Sequence, residues 1–298
     1  MQKCLAILGA GRVGRALGRR LREAGWKIGA VVTRSETTAR RAVRSIGGGH
    51  AHSAPVRSIL NAPVILVTVP DDALADVAGE LARIGAEELR GKIVLHTSGA
   101  LDSSALHAVK VHGAAVGSMH PLQTFTGKNV PSLEGKIFAV EGDPPAVRVA
   151  RQIARTLGGS PVPITAGKKV LYHAAAAMAA GSVLAIEEAA TQLLMSLGMA
   201  RRAAVRALLP LTRQVLDNFE RFGPRAAWTG PLSRRDYEIV AAHLRALRDS
   251  PEEFAAAYVS INRLAARTLA QPPAAMLAEL DKISRGENLK VKAKGNNA

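Results

Sequence analysis

The chain has 298 residues, room for two domains at about 100–200 residues each. Its 48% hydrophobic content can fill real cores, and its single cysteine, Cys4, excludes an internal disulfide framework and any cysteine-based metal cluster. The formal net charge of +16 invites a nucleic-acid reading, but the basic excess is spread over both halves and aromatic residues are only 3%. That leaves no stacking platform and no basic stripe, so the expectation is affinity for small anionic molecules and no nucleic-acid partner.

The longest charge-free apolar stretch, residues 174–186, is shorter than the roughly 20 residues of a membrane span. The first residues run straight into glycines and not into a signal-like segment. A cytoplasmic protein with no membrane partner is expected.

In chain order, residues 4–8 form a short apolar run, and residues 13–24 follow with Val13, Ala16, Leu17, Leu21 and Ala24 on one helical face. Further β-branched runs at 28–32, 64–69, 93–96, 114–118 and 137–140 read as buried parallel strands. Helix-like stretches at 37–45, 72–84, 103–111 and 144–157 lie between them, the last opened by Asp143 and Pro144. This alternation predicts a doubly wound parallel α/β sheet of the Rossmann type over residues 1–165. From there the pattern is all-helical: an Ala-rich run over 168–197, then helices near 201–222, 233–248, 251–269 and 273–284. Ser250 with Glu253, and Ser233 with Asp236, fit capping boxes. Residues 166–286 are therefore expected to form a helical substrate and dimerisation domain, and residues 287–298 a frayed tail.

Gly9-Ala10-Gly11-Arg12-Val13-Gly14 is a G-x-G-x-x-G placed between the first strand and the first helix. In that context Gly9 serves the turn, Gly11 admits a pyrophosphate to the backbone, and Gly14 lets helix and strand pack closely. The amides of Arg12 and Val13 open the helix, where anions are favoured. After the second strand the chain has Thr33-Arg34-Ser35 where an NAD-preferring site would present an acid. Arg34 with Ser35 suits a 2′-phosphate, so NADP(H) is favoured over NAD(H). Val69 and Pro70 end another strand at the same edge and are placed beside the nicotinamide ribose. Asp71 and Asp72 read as helix caps.

Two more strand ends are polar: His96-Thr97-Ser98-Gly99-Ala100, and Ser118-Met119-His120-Pro121. His120 is the candidate acid or base and Ser98 a candidate for orienting substrate, while His96 reads as a satisfied core histidine. Lys169 and His173, four residues apart at the start of the long helix with Tyr172 alongside, share a face that would overhang the cofactor. Lys169 is the alternative acid or base. Arg234 or Arg235 could grip a carboxylate as a bidentate fork.

These segments carry a resemblance. The glycine loop, His96-Thr97-Ser98-Gly99-Ala100-Leu101, His120-Pro121-Leu122-Gln123, Leu171-Tyr172-His173-Ala174-Ala175-Ala176 and Thr229-Gly230-Pro231 resemble the Rossmann-like oxidoreductases whose helical second domain is a domain of unknown function. Gly181 stands where that family often has Asn. The wider relatives are the 3-hydroxyacid and 6-phosphogluconate dehydrogenases, ketopantoate reductase, pyrroline-carboxylate reductase and prephenate dehydrogenase. Lys169 with His173 is similar to the Lys and Asn of the hydroxyacid dehydrogenases and ketopantoate reductase. Ser98 and His120-Pro121 are similar to the Ser and His-Pro of prephenate dehydrogenases. The resemblance implies an NADP-dependent oxidoreductase moving hydride to or from a C=O, C–OH or C=N carbon of a small carboxylated metabolite, and the small side chains of the Ala-rich run after His173 suit close helix packing in a homodimer. A non-catalytic NADP-binding sensor is the alternative.

Overall fold

The computed structural model describes residues 3–286, and the tail expected over 287–298 lies outside them. The chain divides into two compact units after Ala180. The change from strands to helices does come near residue 165, but the first helix beyond it packs with the sheet.

The first unit holds strands β1 (Cys4–Leu8), β2 (Lys27–Val32), β3 (His50–His52), β4 (Val64–Val67), β5 (Ile93–His96), β6 (Ala115–Pro121), β7 (Ile137–Gly142) and β8 (Ser160–Pro163). They form one sheet in the order β3-β2-β1-β4-β5-β6-β7-β8. Helices α1 (Arg12–Glu23), α2 (Glu36–Ile46), α3 (Leu74–Gly85), α4 (His107–Lys110) and α5 (Pro144–Thr156) cover it. Alternation along β1 feeds two cores. Leu5 and Ile7 pack with Leu17 of α1, Ile46 of α2 and Ile153 of α5. Ala6 and Leu8 pack with Leu74 and Leu81 of α3 and Val109 of α4. The first six strands have the Rossmann order, which reverses between β1 and β4 and opens a crevice at their carboxyl ends.

The sheet is not parallel throughout. β7 runs antiparallel to β6, with Ser118 opposite Glu141. The physical reason is the connection: residues 122–136 contain no helix, and only a crossover element can return the chain for parallel pairing. β3 and β8 were not expected; each is an edge strand of three or four residues, and β8 carries two prolines that an edge tolerates. Residues 103–111 form a 3₁₀ turn, Ser103–Leu106, running into the four-residue α4.

Beyond the sheet come α6 (Lys169–Ala177), a π-turn at Met178–Ser182, and α7 (Val183–Ser196), which replace the single uninterrupted helix expected there. Then follow α8 (Arg201–Ala227), α9 (Tyr237–Ala246), α10 (Glu252–Leu269) and α11 (Pro273–Ser284). α8 is broken at Gly223, whose φ of 78° is non-helical. Neither expected capping box forms: α9 starts at Tyr237, Ser233 donates its hydroxyl hydrogen bond to Gly230 O, and no side chain caps α10. The second unit has its own small core of Leu232, Val240, Ala266, Met276, Leu280 and Ile283. The stretch Ala166–Ser196 is long and apolar enough, by length and composition, to cross a membrane, and none of its most apolar window is buried. Counting only charge-free residues missed this, because a span tolerates a charge or two near its ends.

Leu66 in β4 is fully buried, whereas Val111 is 61% exposed. Leu66→Ala is expected to cost about 2–5 kcal/mol by urea denaturation, and Val111→Ala less than about 0.5 kcal/mol.

Candidate functional site

The register across the sheet aligns Leu8, Val67, His96, Ser118 and Glu141 in one row. The chain leaves β1, β4 and β5 just beyond this row, so the glycine turn, the Thr68-Val69-Pro70 segment and the Ser98-Gly99 turn share one edge.

Gly9 adopts φ 84°, and its carbonyl accepts from the Gly11 amide at 2.7 Å and from the Thr68 hydroxyl. A Cβ on Gly9 would lie 2.5 Å from Val69, and one on Gly14 would lie 2.3 Å from Thr68 Oγ1, so both glycines are required by close approach. Gly11 differs, because a Cβ there would meet only Gly9 O at 3.9 Å. It faces open space at the start of α1, where no side chain caps the helix and its first turn carries no acid. Free amides and the positive end of a 12-residue helix thus border room for a phosphate. Arg12 is exposed and Val13 half-buried beside it.

At the end of β2, Arg34 is exposed and has no partner among the described residues. Ser35 caps α2: its oxygen accepts from the Thr38 amide at 3.3 Å and it donates to Thr38 Oγ1 at 2.8 Å. Thr33 donates to Ser35 O. The nearby carboxylate, Glu36, pairs with Arg40 at 2.6 Å. Of the three residues singled out after β2, Arg34 alone has an uncommitted side chain.

The second half of the site is built on the ends of β5 and β6. His96 is fully buried; its Nδ1 accepts from the Ser98 amide at 3.2 Å, so Nε2 carries the proton and donates to Asp102 O at 3.0 Å. Burial, then the neighbouring Lys169 charge, lower its pKa to about 4. Ser98 donates to Asp71 at 2.8 Å and accepts from the amides of Ala100 and Leu101. Its hydroxyl is fully engaged in holding the turn. Asp71 is therefore not a helix cap: it lies in a 3₁₀ turn without a side-chain cap and serves Ser98.

Lys169 is 1% exposed, and its Nζ donates to Ser98 O at 2.8 Å and to Ser118 Oγ. Burial lowers its pKa to about 8, with Glu141, Asp102 and Asp71 holding it up. Glu141, opposite Ser118, accepts from the Ser103 amide and hydroxyl. Three residues further along α6 the Tyr172 hydroxyl lies 2.9 Å from His120 Nδ1. His173 sets its ring edge-on to His120 with centroids 5.8 Å apart. Both rings close over Gly99: a Cβ there would lie 2.4 Å from His173 and 2.9 Å from His120 Nε2. Burial, then His173 and Lys169, lower the His120 pKa to about 4, while burial raises that of Tyr172.

The structure thus gathers Ser98, His120, Lys169 and His173 within one compact unit. It adds Tyr172, Ser118, Glu141 and Thr68, to which sequence reasoning gave no role. Two of these were legible: Ser118 shares a strand face with His120 at i+2, and Tyr172 lies at i+3 from Lys169. Glu141 depends on the β6–β7 register. Gly181, in the π-turn, has no atom within 4 Å of an added Cβ.

Residues 2–121 match the model of the Rossmann-like domain, and residues 136–265 match a domain of unknown function, DUF2520. No curated protein matches the chain. Among solved structures the chain is similar to a candidate NADP oxidoreductase of Bacteroides fragilis, with 22% identity over 88% of this chain and 96% of that one, at a TM-score of 0.71. It is also similar to protein TM1727 of Thermotoga maritima, with 25% identity over 94% and 99% of the two chains and a TM-score of 0.64. A third is the reductive aminase of Aspergillus terreus in complex with NADPH and ethyl-5-oxohexanoate, with 18% identity over 96% and 94% and a TM-score of 0.63.

Because burial lowers the Lys169 pKa to about 8, the folded state sheds this proton before the unfolded state does, near 10.5. The unfolded chain then binds more protons between those values, so stability rises with pH across that window. Relative to Lys169→Met, the wild type should gain on the order of 3 kcal/mol between pH 8 and 10.5, read from denaturation midpoints.

Proposed function

We propose that this chain, a Rossmann-like domain joined to a DUF2520 domain, is an NADP(H)-dependent oxidoreductase acting on a small carboxylated metabolite with a C=O or C=N carbon. The observation that carries the reading is the pairing of two features on one sheet edge. A glycine turn leaves the N-terminus of α1 open for a phosphate, and a neutral His120–Tyr172 pair lies further along the same edge. The neighbours of known cofactor are in keeping with it, since the aminase was solved with NADPH.

NADPH, when bound, supplies the hydride. Gly9, Gly11 and Gly14, with the amides of Arg12 and Val13, would hold its pyrophosphate, and Thr68 keeps the Gly9 carbonyl turned away from it. Arg34, with no acid at Thr33 or Ser35 to repel a phosphate, would hold the 2′-phosphate. Val69 and Pro70 would line the ribose. Lys169, too buried to meet substrate, places positive potential behind the Ser98–Gly99 turn, where a developing oxyanion gains from it. His120, His173 and Tyr172 present the polar atoms that meet the reacting group. Exposed Lys168, at the start of the same helix, and the overall basic charge favour a carboxylate on the substrate.

The same reading includes a homodimer. In the second unit Leu184 and Leu197 are 71% and 80% exposed, and Leu211, Phe219 and Phe222 of α8 are exposed as well. Exposed apolar side chains in this number on one unit favour an interaction surface, and a second copy brings an identical one. Leu184→Glu is expected to convert a dimer into a monomer by light scattering; a monomeric wild type, or one that partitions onto phosphatidylcholine vesicles, would overturn this part.

The function is tested by thermal shift with NADPH, NADP+, NADH and NAD+, followed by NADPH consumption with a panel of 2-oxo acids and cyclic imines. The expected result is a shift with the phosphorylated pair, about tenfold weaker NADPH binding in Arg34→Ala with NADH unaffected, and turnover of a panel member. NADPH binding without any turnover would leave a sensor and sink the enzyme; no shift with any of the four would remove the cofactor site altogether.

A further inference from the structure

Lys169, His120, His173 and Tyr172 carry a transferable proton at the site, and exposed His173 meets His120 edge-on, with no hydrogen bond among the described residues to fix its ring. Lys169 Nζ is committed to Ser98 O and Ser118 Oγ behind the Ser98–Gly99 turn. His120 sets Nδ1 2.9 Å from the Tyr172 hydroxyl, and its Nε2, beside Gly99, has no hydrogen-bond partner among the described residues. Tyr172 is half-buried, and its hydroxyl has His120 as its one partner among the described residues. It therefore keeps a side free, and with the single proton of a neutral His120 on Nδ1 the His120 Nε2 has none to give.

We propose that Tyr172 is the catalytic proton donor and His120 a positioning residue that holds it through a hydrogen bond from Nδ1–H to the phenol oxygen. The proposal rests on the reductase reading above. A carbonyl carbon that accepts hydride shifts its π pair onto oxygen. That oxygen takes the phenolic proton: the Tyr172 O–H bond breaks as the substrate O–H bond forms, and the bonding pair stays on the tyrosine. The phenolate keeps the donated Nδ1–H bond and recovers its proton from water, so both residues return to their starting state. His120 does not ionise during the step. The low His120 pKa fits this role, because a histidine neutral at pH 7 carries a single ring proton to place at Nδ1. The titratable groups facing the pair are Lys169 and His173 from α6, His96 from β5, and Asp71 through Ser98.

The first readout needs neither cofactor nor turnover. Ring-nitrogen NMR of protein labelled with 15N-histidine should show His120 as the Nδ1–H tautomer at pH 7, assigned by the signal missing in His120→Asn. An Nε2–H tautomer would overturn the proposal. The second readout uses the fastest member of the oxo-acid panel. Tyr172→Phe should lower kcat about 100-fold, a typical share for a general acid, with melting temperature and NADPH affinity unchanged. His120→Asn, which keeps an N–H at the Nδ1 position, should stay within about tenfold of wild type, while His120→Ala falls with Tyr172→Phe. The kcat profile should stay level through pH 8, since burial raises the Tyr172 pKa above its ordinary 10. A limb at about 8 would assign the proton to Lys169, and one at about 4 to His120. Near-normal turnover in Tyr172→Phe would likewise overturn the proposal. If no panel member is reduced, the oxidoreductase reading fails, and the tautomer still decides the His120–Tyr172 geometry by itself.

Discussion

The site edge is organised by one buried ammonium group. Lys169 is almost wholly removed from water, and a charge so placed costs several kcal/mol unless its hydrogens are satisfied and opposite charge is near. Ser98 O and Ser118 Oγ take two of its hydrogens, and Glu141, Asp102 and Asp71 supply the surrounding negative field. The tie fixes the first turn of α6 against the ends of β5 and β6. Helical spacing then does the rest, because residues three and four positions on return to the same side. Tyr172 and His173 arrive above His120, which projects from the same face of β6 as Ser118. Gly99 is the residue that lets the two layers close, since any side chain there would part the rings.

Burial acts on these groups in one sense. It disfavours whichever form is charged, so it lowers His96, His120 and Lys169 and raises Tyr172. Around neutral pH His96, His120 and Tyr172 are therefore uncharged, with the Lys169 cation set behind them. Such a site does little to attract or repel a ground-state carbonyl. Its cation and hydrogen-bond donors gain most when negative charge develops on oxygen, in surroundings where water screens weakly. The desolvation that makes Lys169 costly for stability is the same desolvation that sharpens its field at the reacting atoms. This coupling of cost and benefit is common where strained or buried groups gather at functional sites.

Much of this was legible in the chain. Strand runs bounded by turn residues, with helix-period stretches between them, place the glycine turn, Ser98 and His120 at strand ends, and the structure puts them on one edge. The direction of β7 was not, because the apolar run at 137–140 looks the same in either direction and reads as one more parallel strand. What could not be read was partnership across the register: Glu141 faces Ser118 because of an antiparallel pairing that no local pattern encodes. The failed capping boxes have a related cause. Ser250 and Ser233 match a spacing, but the chain around Pro251 and through residues 230–236 turns before the helix begins, so the hydroxyls never reach the first-turn amides. Asp71 shows the reverse case, an acid that reads as a cap from its neighbours and is claimed by a serine 27 residues away.

The two helices that follow β1 and β2 make a contrast within one sheet. α2 begins with Ser35, whose oxygen accepts a first-turn amide, and Glu36 in its first turn suits the positive end of the dipole. α1 has neither: Gly11 offers no side chain, the first turn has no acid, and the helix carries arginines along its length. A serine or aspartate cap would stabilise such a helix by about 1 kcal/mol. Yet the backbone around α1 is the more tightly specified of the two, with Gly9 and Gly14 packed so closely that neither admits a methyl group. A turn held this exactly while its helix end stays uncapped is arranged to offer its amides outward. The sheet edge that carries the anion-ready turn after β1 also carries His120 of β6 with Tyr172 of α6 against it, and it is their meeting on one edge, within one compact unit, that makes the arrangement a candidate for chemistry as well as for binding.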